Sequence, residues 1–235
     1  MTLPASKSRP PTTIPGVAST LVVRRRAPLV AEGGEDNKSL GFDLAVGRCA
    51  HRLVAEVLPV ARDLSRGELV DVLSDAVGPV IATEKVLRAR SAAARIRVTG
   101  LCSLYLMRFA PPSFVELVDT EMTVEAGRVD VAWRHPTAGV LFDELKTSRI
   151  SVAPLDAHAR AQAAGYAACA AAFDRFAGVR LLPLTNGPAS RLFTPDGRCL
   201  PLSVTLLSPA VLAAEHEQLL ANGGDLSALT SRRSA

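Results

Sequence analysis

Gly127-Arg128-Val129-Asp130-Val131-Ala132-Trp133 and Leu141-Phe142-Asp143-Glu144-Leu145-Lys146-Thr147-Ser148 are the stretches whose reading decides the fold. Residues 128–134 and 140–146 are short segments that read as strands. Between them lies His135-Pro136-Thr137-Ala138-Gly139, a turn composition. Residues 114–124 carry a β-branched and aromatic strand signature and lead into Ala126-Gly127, a second turn. Three consecutive strands on short connections predict an antiparallel meander.

Upstream the period is helical. Leu44, Cys49, Leu53, Val54, Val57 and Leu58 share one face of a first helix, within residues 41–79. Leu69, Val72, Leu73 and Val77 mark a second, closed by Gly78-Pro79. Residues 84–96 read as a third and most basic helix, and residues 101–109 fit either helix or strand. Downstream come a loop through Pro154, an alanine-rich helix over about residues 157–176 and a strand at 179–184. A further strand is expected at 203–207, then a helix at 208–221 with Pro209 in its first turn. The expected architecture is α/β (α+β): a mixed central sheet with an antiparallel meander, flanked by helices. One domain is expected over residues 39–222, between an irregular proline-containing tail (1–38) and a flexible C-terminal tail (223–235).

Composition narrows the partners. A net charge of +4 is compatible with a polyanion without demanding one. Arg24-Arg25-Arg26 in the N-terminal tail offers possible phosphate contacts. Cys49, Cys102, Cys169 and Cys199 form no C-x-x-C pair, so no zinc site is signalled. No apolar run is long enough to span a bilayer, and the chain is expected to be soluble and cytoplasmic.

Glu144 and Lys146, two apart on a strand, point to the same face of a segment that otherwise reads as core. Charges there must pair or hold a metal. Pairing through the Pro-Thr-Ala-Gly turn sets Asp130 across from Glu144, and the Leu145 carbonyl is a third oxygen within reach. Such hard donors suit Mg²⁺ or Mn²⁺. Gln162 and Tyr166 share a helix face whose alanine and glycine neighbours allow close approach to the sheet, where their amide and hydroxyl are candidates to orient Lys146 or to contact a DNA phosphate. His51 is a candidate nitrogen ligand, and Glu121 a candidate extension of the acidic cluster. Asp143 points to the opposite face from Glu144 and reads as a surface acid or one behind the site. His135, His158 and His216 read as solvated, and Trp133 as packed on the sheet.

Gly47-x-x-x-His51, Gly127-Arg128-Val129-Asp130, Glu144-Leu145-Lys146 and Gln162-Ala163-Ala164-Gly165-Tyr166, in that order, are similar to the ordered motifs of RecB-like nucleases of the PD-(D/E)XK superfamily. The resemblance covers about residues 41–185. It implies a restriction-endonuclease-like core and a Mg²⁺-dependent DNA phosphodiester hydrolase, working as an exonuclease or a structure-selective endonuclease. Asp130, Glu144, His51 and the Leu145 carbonyl would be metal ligands and Lys146 the catalytic lysine, with Gln162 and Tyr166 supporting site and substrate. Some relatives hold an iron–sulfur cluster on one early and three late cysteines. Here only Cys199 follows Cys169, so no cluster is expected. There is no Walker-type loop, so any unwinding is expected from a helicase or a recombination or replication partner. Two other readings stand beside this one. One is a catalytically silent module that binds nucleic acid or a partner on the same fold. The other is an unrelated scaffold with Glu144 and Lys146 as a surface ion pair.

Overall fold

Along β3 (Gly139–Lys146) Leu141 and Leu145 enter one core and Val140 and Phe142 another, as a period of two requires. The sheet is therefore covered on both faces. The computed structural model describes residues 34–62, 64–147, 157–185, 189–226 and 229. The expectations for residues 1–33, for the loop through Pro154 and for most of the C-terminal tail lie outside these.

The meander forms as its sequence dictates. β1 (Glu116–Val124) pairs antiparallel with β2 (Gly127–His135), and β2 antiparallel with β3. The chain then crosses through α4 (Ala157–Ala168) to β4 (Phe176–Pro183), which runs parallel to β3. Two short antiparallel strands, β5 (Arg191–Phe193) and β6 (Cys199–Pro201), complete a six-stranded mixed sheet in sequence order. α1 (Gly34–Ala61), α2 (Arg66–Ala82) and α3 (Ser91–Arg108) pack together on the face that carries Trp133, Leu141 and Leu145. On the other face Ala159, Ala163 and Tyr166 of α4 meet Phe142, Val179 and Leu181. α5 (Pro209–Ala221) starts on the cap of Ser208, with Pro209 in its first turn. No described helix is long and apolar enough to cross a membrane.

Several boundaries differ from the sequence-based expectations. α1 already begins at Gly34, and α2 does not close at Gly78-Pro79 but runs on to Ala82. Pro79 deletes one helical hydrogen bond, a cost of about 3 kcal/mol. Val80 and Ile81 beyond it are buried, each contributing about 1.5–3 kcal/mol, so burial wins. The third helix divides into a 3-10 turn (Lys85–Arg90) and α3, which absorbs residues 101–108 and is capped by Phe109. The alanine-rich helix stops at Ala168, followed by a 3-10 turn over Cys169–Ala172, because Phe173 and Phe176 gather on Phe142 and start β4. Residues 203–207 are no strand: Leu202–Val204 is a 3-10 turn, and β5 and β6 precede it.

Asp143, read as a surface acid or one behind the site, and His135, read as solvated, are core groups. Asp143 is fully buried and stands in register with Arg180 of β4. Arg180 grips both its oxygens at 2.7 Å, while Tyr105 and Trp133 donate to Oδ2 at 2.8 and 2.9 Å. Burial and the Asp143 charge push the Tyr105 phenol well above its usual range, so it remains a donor. His135 is buried too: its Nδ1 accepts from the amides of Thr137 and Ala138, which leaves Nε2–H to reach Glu215 of α5 at 3.1 Å. His216 is half-buried, stacked on Phe114. His158 is exposed, and Trp133 lies wholly inside.

Gly139 shows how tightly β3 meets the segment before β4. Its φ is +91°, and a Cβ there would sit 2.3 Å from the Arg175 carbonyl oxygen, which accepts the Val140 amide at 2.8 Å. Gly139→Ala is expected to cost about 2–4 kcal/mol through strained backbone and displaced chain, read as a lower urea midpoint. An unchanged midpoint would refute this.

Candidate metal centre and its lysine

Strand register brings three carboxylates to one level. Thr120 pairs with Val131 and Met122 with Val129, which sets Glu121 beside Asp130. Val131 pairs with Asp143, so one step further Asp130 stands beside Glu144. His51 arrives from α1. One turn before it is Gly47, whose missing side chain admits Thr147: a Cβ at Gly47 would lie 2.5 Å from Thr147 Oγ1. That close approach of helix to strand end delivers the imidazole, with His51 Nδ1 2.8 Å from Asp130 Oδ1. Asp130 Oδ2 accepts the Leu145 amide at 2.7 Å, so Leu145 holds the aspartate through its N–H. Glu121 adopts a φ of 58°, rare for a non-glycine residue, and its Oε2 meets Arg128 Nε at 2.5 Å. Ligand atoms of His51, Glu121 and Asp130 all lie within 4.8 Å of one another.

Glu144 is nearly inaccessible, its side chain 4% exposed. Oε1 accepts from Lys146 Nζ at 2.6 Å, but Oε2 is buried with no partner among the described residues. A bare buried acceptor costs about 1–3 kcal/mol, more if charged, so the atom calls for a proton or a cation. Lys146 Nζ also donates to Gln162 Oε1 at 2.7 Å. Gln162 Nε2 donates to the Tyr166 hydroxyl at 2.9 Å, and that hydroxyl to the Arg128 carbonyl at 2.5 Å. The ammonium donates to Glu144 and Gln162, and the Gln162–Tyr166–Arg128 relay ties it from α4 to β2. The pair is no surface ion pair.

No protein-family model matches the chain, and no curated protein does.

The structure brings together His51, Asp130, Glu144, Lys146, Gln162 and Tyr166, all singled out from sequence. Glu121, weighed only as an extension of the cluster, stands within it because of the β1–β2 register. Arg48, Arg52 and Arg128 were not assigned to the site. They line a cavity of about 700 Å³ beside His51 and Glu121. The readable signal was Arg48 and Arg52, four apart on α1 and flanking His51. Cys49 and Cys102 are buried, their thiols turned to the Val80 and Ala50 carbonyls; Cys169 is half-buried and Cys199 exposed. The donor set, carboxylate oxygens with one imidazole, and the bare Glu144 oxygen fit a hard divalent cation such as Mg²⁺ or Mn²⁺.

The electrostatics give a test. Burial, then the Asp130 charge, push the Glu144 carboxyl up to about 7. Burial opposes the His51 imidazolium, but its hydrogen bond to Asp130 and the surrounding carboxylates outweigh this and raise its pKa. Both groups bind protons more tightly folded than unfolded. Their contribution is therefore complete below the unfolded pKa and lost as pH rises through the folded one. For Glu144 that window runs from 4.5 to about 7, and for His51 upward from 6.5. In EDTA the melting temperature should fall between about pH 5 and pH 8, a loss on the order of 1–3 kcal/mol. Glu144→Gln should flatten the profile, and Mn²⁺ should stabilise most at the alkaline end. A metal-free melting temperature that rises over this range would contradict the assignment.

Proposed function

We propose that this chain is a divalent-metal-dependent deoxyribonuclease of the RecB-like PD-(D/E)XK kind, on a restriction-endonuclease-like core. The observation that carries the reading is the juxtaposition of His51–Asp130 with Glu144–Lys146–Gln162 on neighbouring strands, in which a half-buried lysine and a bare carboxylate oxygen lie near a cavity lined by Arg48, Arg52 and Arg128. The resemblance of the ordered motifs supports it. Asp130, Glu144, His51 and the Leu145 carbonyl would hold Mg²⁺ or Mn²⁺, and Glu121 is placed to join them. When bound, the cation supplies Lewis-acid polarisation of the phosphate and lowers the pKa of water.

The protein's own groups supply the rest. His51 and the Leu145 amide fix the Asp130 carboxylate, so its oxygens need no reorganisation at the moment of reaction. Lys146 orients the water that attacks phosphorus and offsets charge growing on the phosphoryl oxygens as the P–O ester bond breaks. Gln162 and Tyr166 keep the ammonium on that path.

The test incubates the purified chain with linear double-stranded, linear single-stranded and circular DNA, in Mg²⁺, Mn²⁺ or EDTA. Metal-dependent cleavage is expected, and sparing of circles would mark an exonuclease. A folded protein that responds to metal but cuts nothing would make the chain a nucleic-acid-binding module, or one dependent on a helicase partner.

A further inference from the structure

The face of α1 that leads to the metal centre is built for more than a helix surface. Leu40, Leu44, Arg48 and Arg52 follow at intervals of four and share the cavity wall with His51 and Arg128. From Leu40 to Glu56 the row runs roughly 24 Å along the helix. Leu40 and Leu44 are 57% and 56% exposed, so two large apolar side chains stand open beside the cavity. The arginines stand above them already positioned. Arg48 is held by Glu84 through Nε and Nη2 at 2.8 Å, and Arg52 by the Thr83 hydroxyl at 2.5 Å. Arg48 and Arg128 remain 57% and 69% exposed despite their pairs. Of the acids that line the cavity, Asp43 is paired with Arg97 and Glu121 with Arg128, while Glu56 ends the row.

Resting on the nuclease reading, we infer that this cavity seats a single DNA strand, with bases against Leu40 and Leu44 and phosphates against Arg48, Arg52 and Arg128. An apolar end (Leu40, Leu44) continued by a basic one (Arg48, Arg52, Arg128) matches an unpaired strand, which presents base faces and phosphates together. A stacked duplex hides its base faces and offers only phosphates to such a row. At about 700 Å³ the cavity encloses a small-molecule-sized portion of a strand. A duplex must unstack a base to enter it, at a few kcal/mol.

The test uses the full chain carrying Lys146→Ala, with Mn²⁺ and labelled oligothymidine or a blunt duplex, followed by fluorescence anisotropy. The parent should bind the strand more tightly than the duplex. Adding Leu40→Ser and Leu44→Ser should weaken strand binding about tenfold and duplex binding far less. Arg128→Ala should lower the slope of log affinity against log salt by about 0.7, one phosphate contact. Unchanged strand affinity in the leucine variant overturns the seat. So does a preference for duplex. A fall in that variant's melting temperature, with DNA affinity unchanged, would show that the leucines are covered by residues 1–33 of the chain itself, and also overturns it. Mn²⁺ thermal shifts of the otherwise unsubstituted chain separate the two layers. A shift with no leucine effect removes the strand seat alone, whereas no shift removes the metal-dependent reading and the seat with it.

Discussion

Lys146→Ala is expected to slow single-turnover DNA cleavage by about a thousandfold or more, while the protein stays folded. The lysine side chain is partly exposed and its ammonium is held by Glu144 and Gln162, both at the site itself. Glu144, left without its ammonium, need not remain charged. Its carboxyl already sits up at about 7 through burial, and taking a proton relieves the loss. The melting temperature should therefore move by only a few degrees. Gln162→Ala should cost less, about tenfold, since it frees the ammonium without deleting it. Cleavage by Lys146→Ala at the parent rate would end the catalytic assignment.

The second large effect falls on stability. Arg180→Met leaves Asp143 charged and enclosed, and breaking one side of such a pair costs about 3–5 kcal/mol. For a chain of this size that means roughly 6–20 °C in melting temperature, a large fraction of a typical total stability. Converting Asp143 to Leu as well removes the orphan charge and should restore part of the loss. Recovery stays incomplete, because Tyr105 and Trp133 then lack their acceptor, at about 1 kcal/mol each. A double variant less stable than Arg180→Met alone would refute this account. Asp143 immediately precedes Glu144, so the network also fixes the strand that presents the proposed metal ligand.

The meander was legible because its period of two and its turn residues act locally. So was the Glu144–Lys146 pair, since the two share a face by strand geometry alone. What escaped depends on groups distant in sequence. Asp143 reads as a surface acid until Arg180 and Tyr105 are known to lie against it. His135 reads as a turn residue until α5 covers it. Gly78-Pro79 signals a stop that tertiary burial overrides, and strands of three residues, β5 and β6, carry no period. Glu121 joins the cluster only through the register of β1 on β2, which a single sequence does not state.

The parallel step from β3 to β4 bears on when the site comes into being. His51 and Asp130 are 79 residues apart, yet both emerge from the ribosome before α4, which carries Gln162. A nascent chain can thus assemble its carboxylates and imidazole while the lysine is still unclamped, and the crossover that docks α4 is a slow, non-local event.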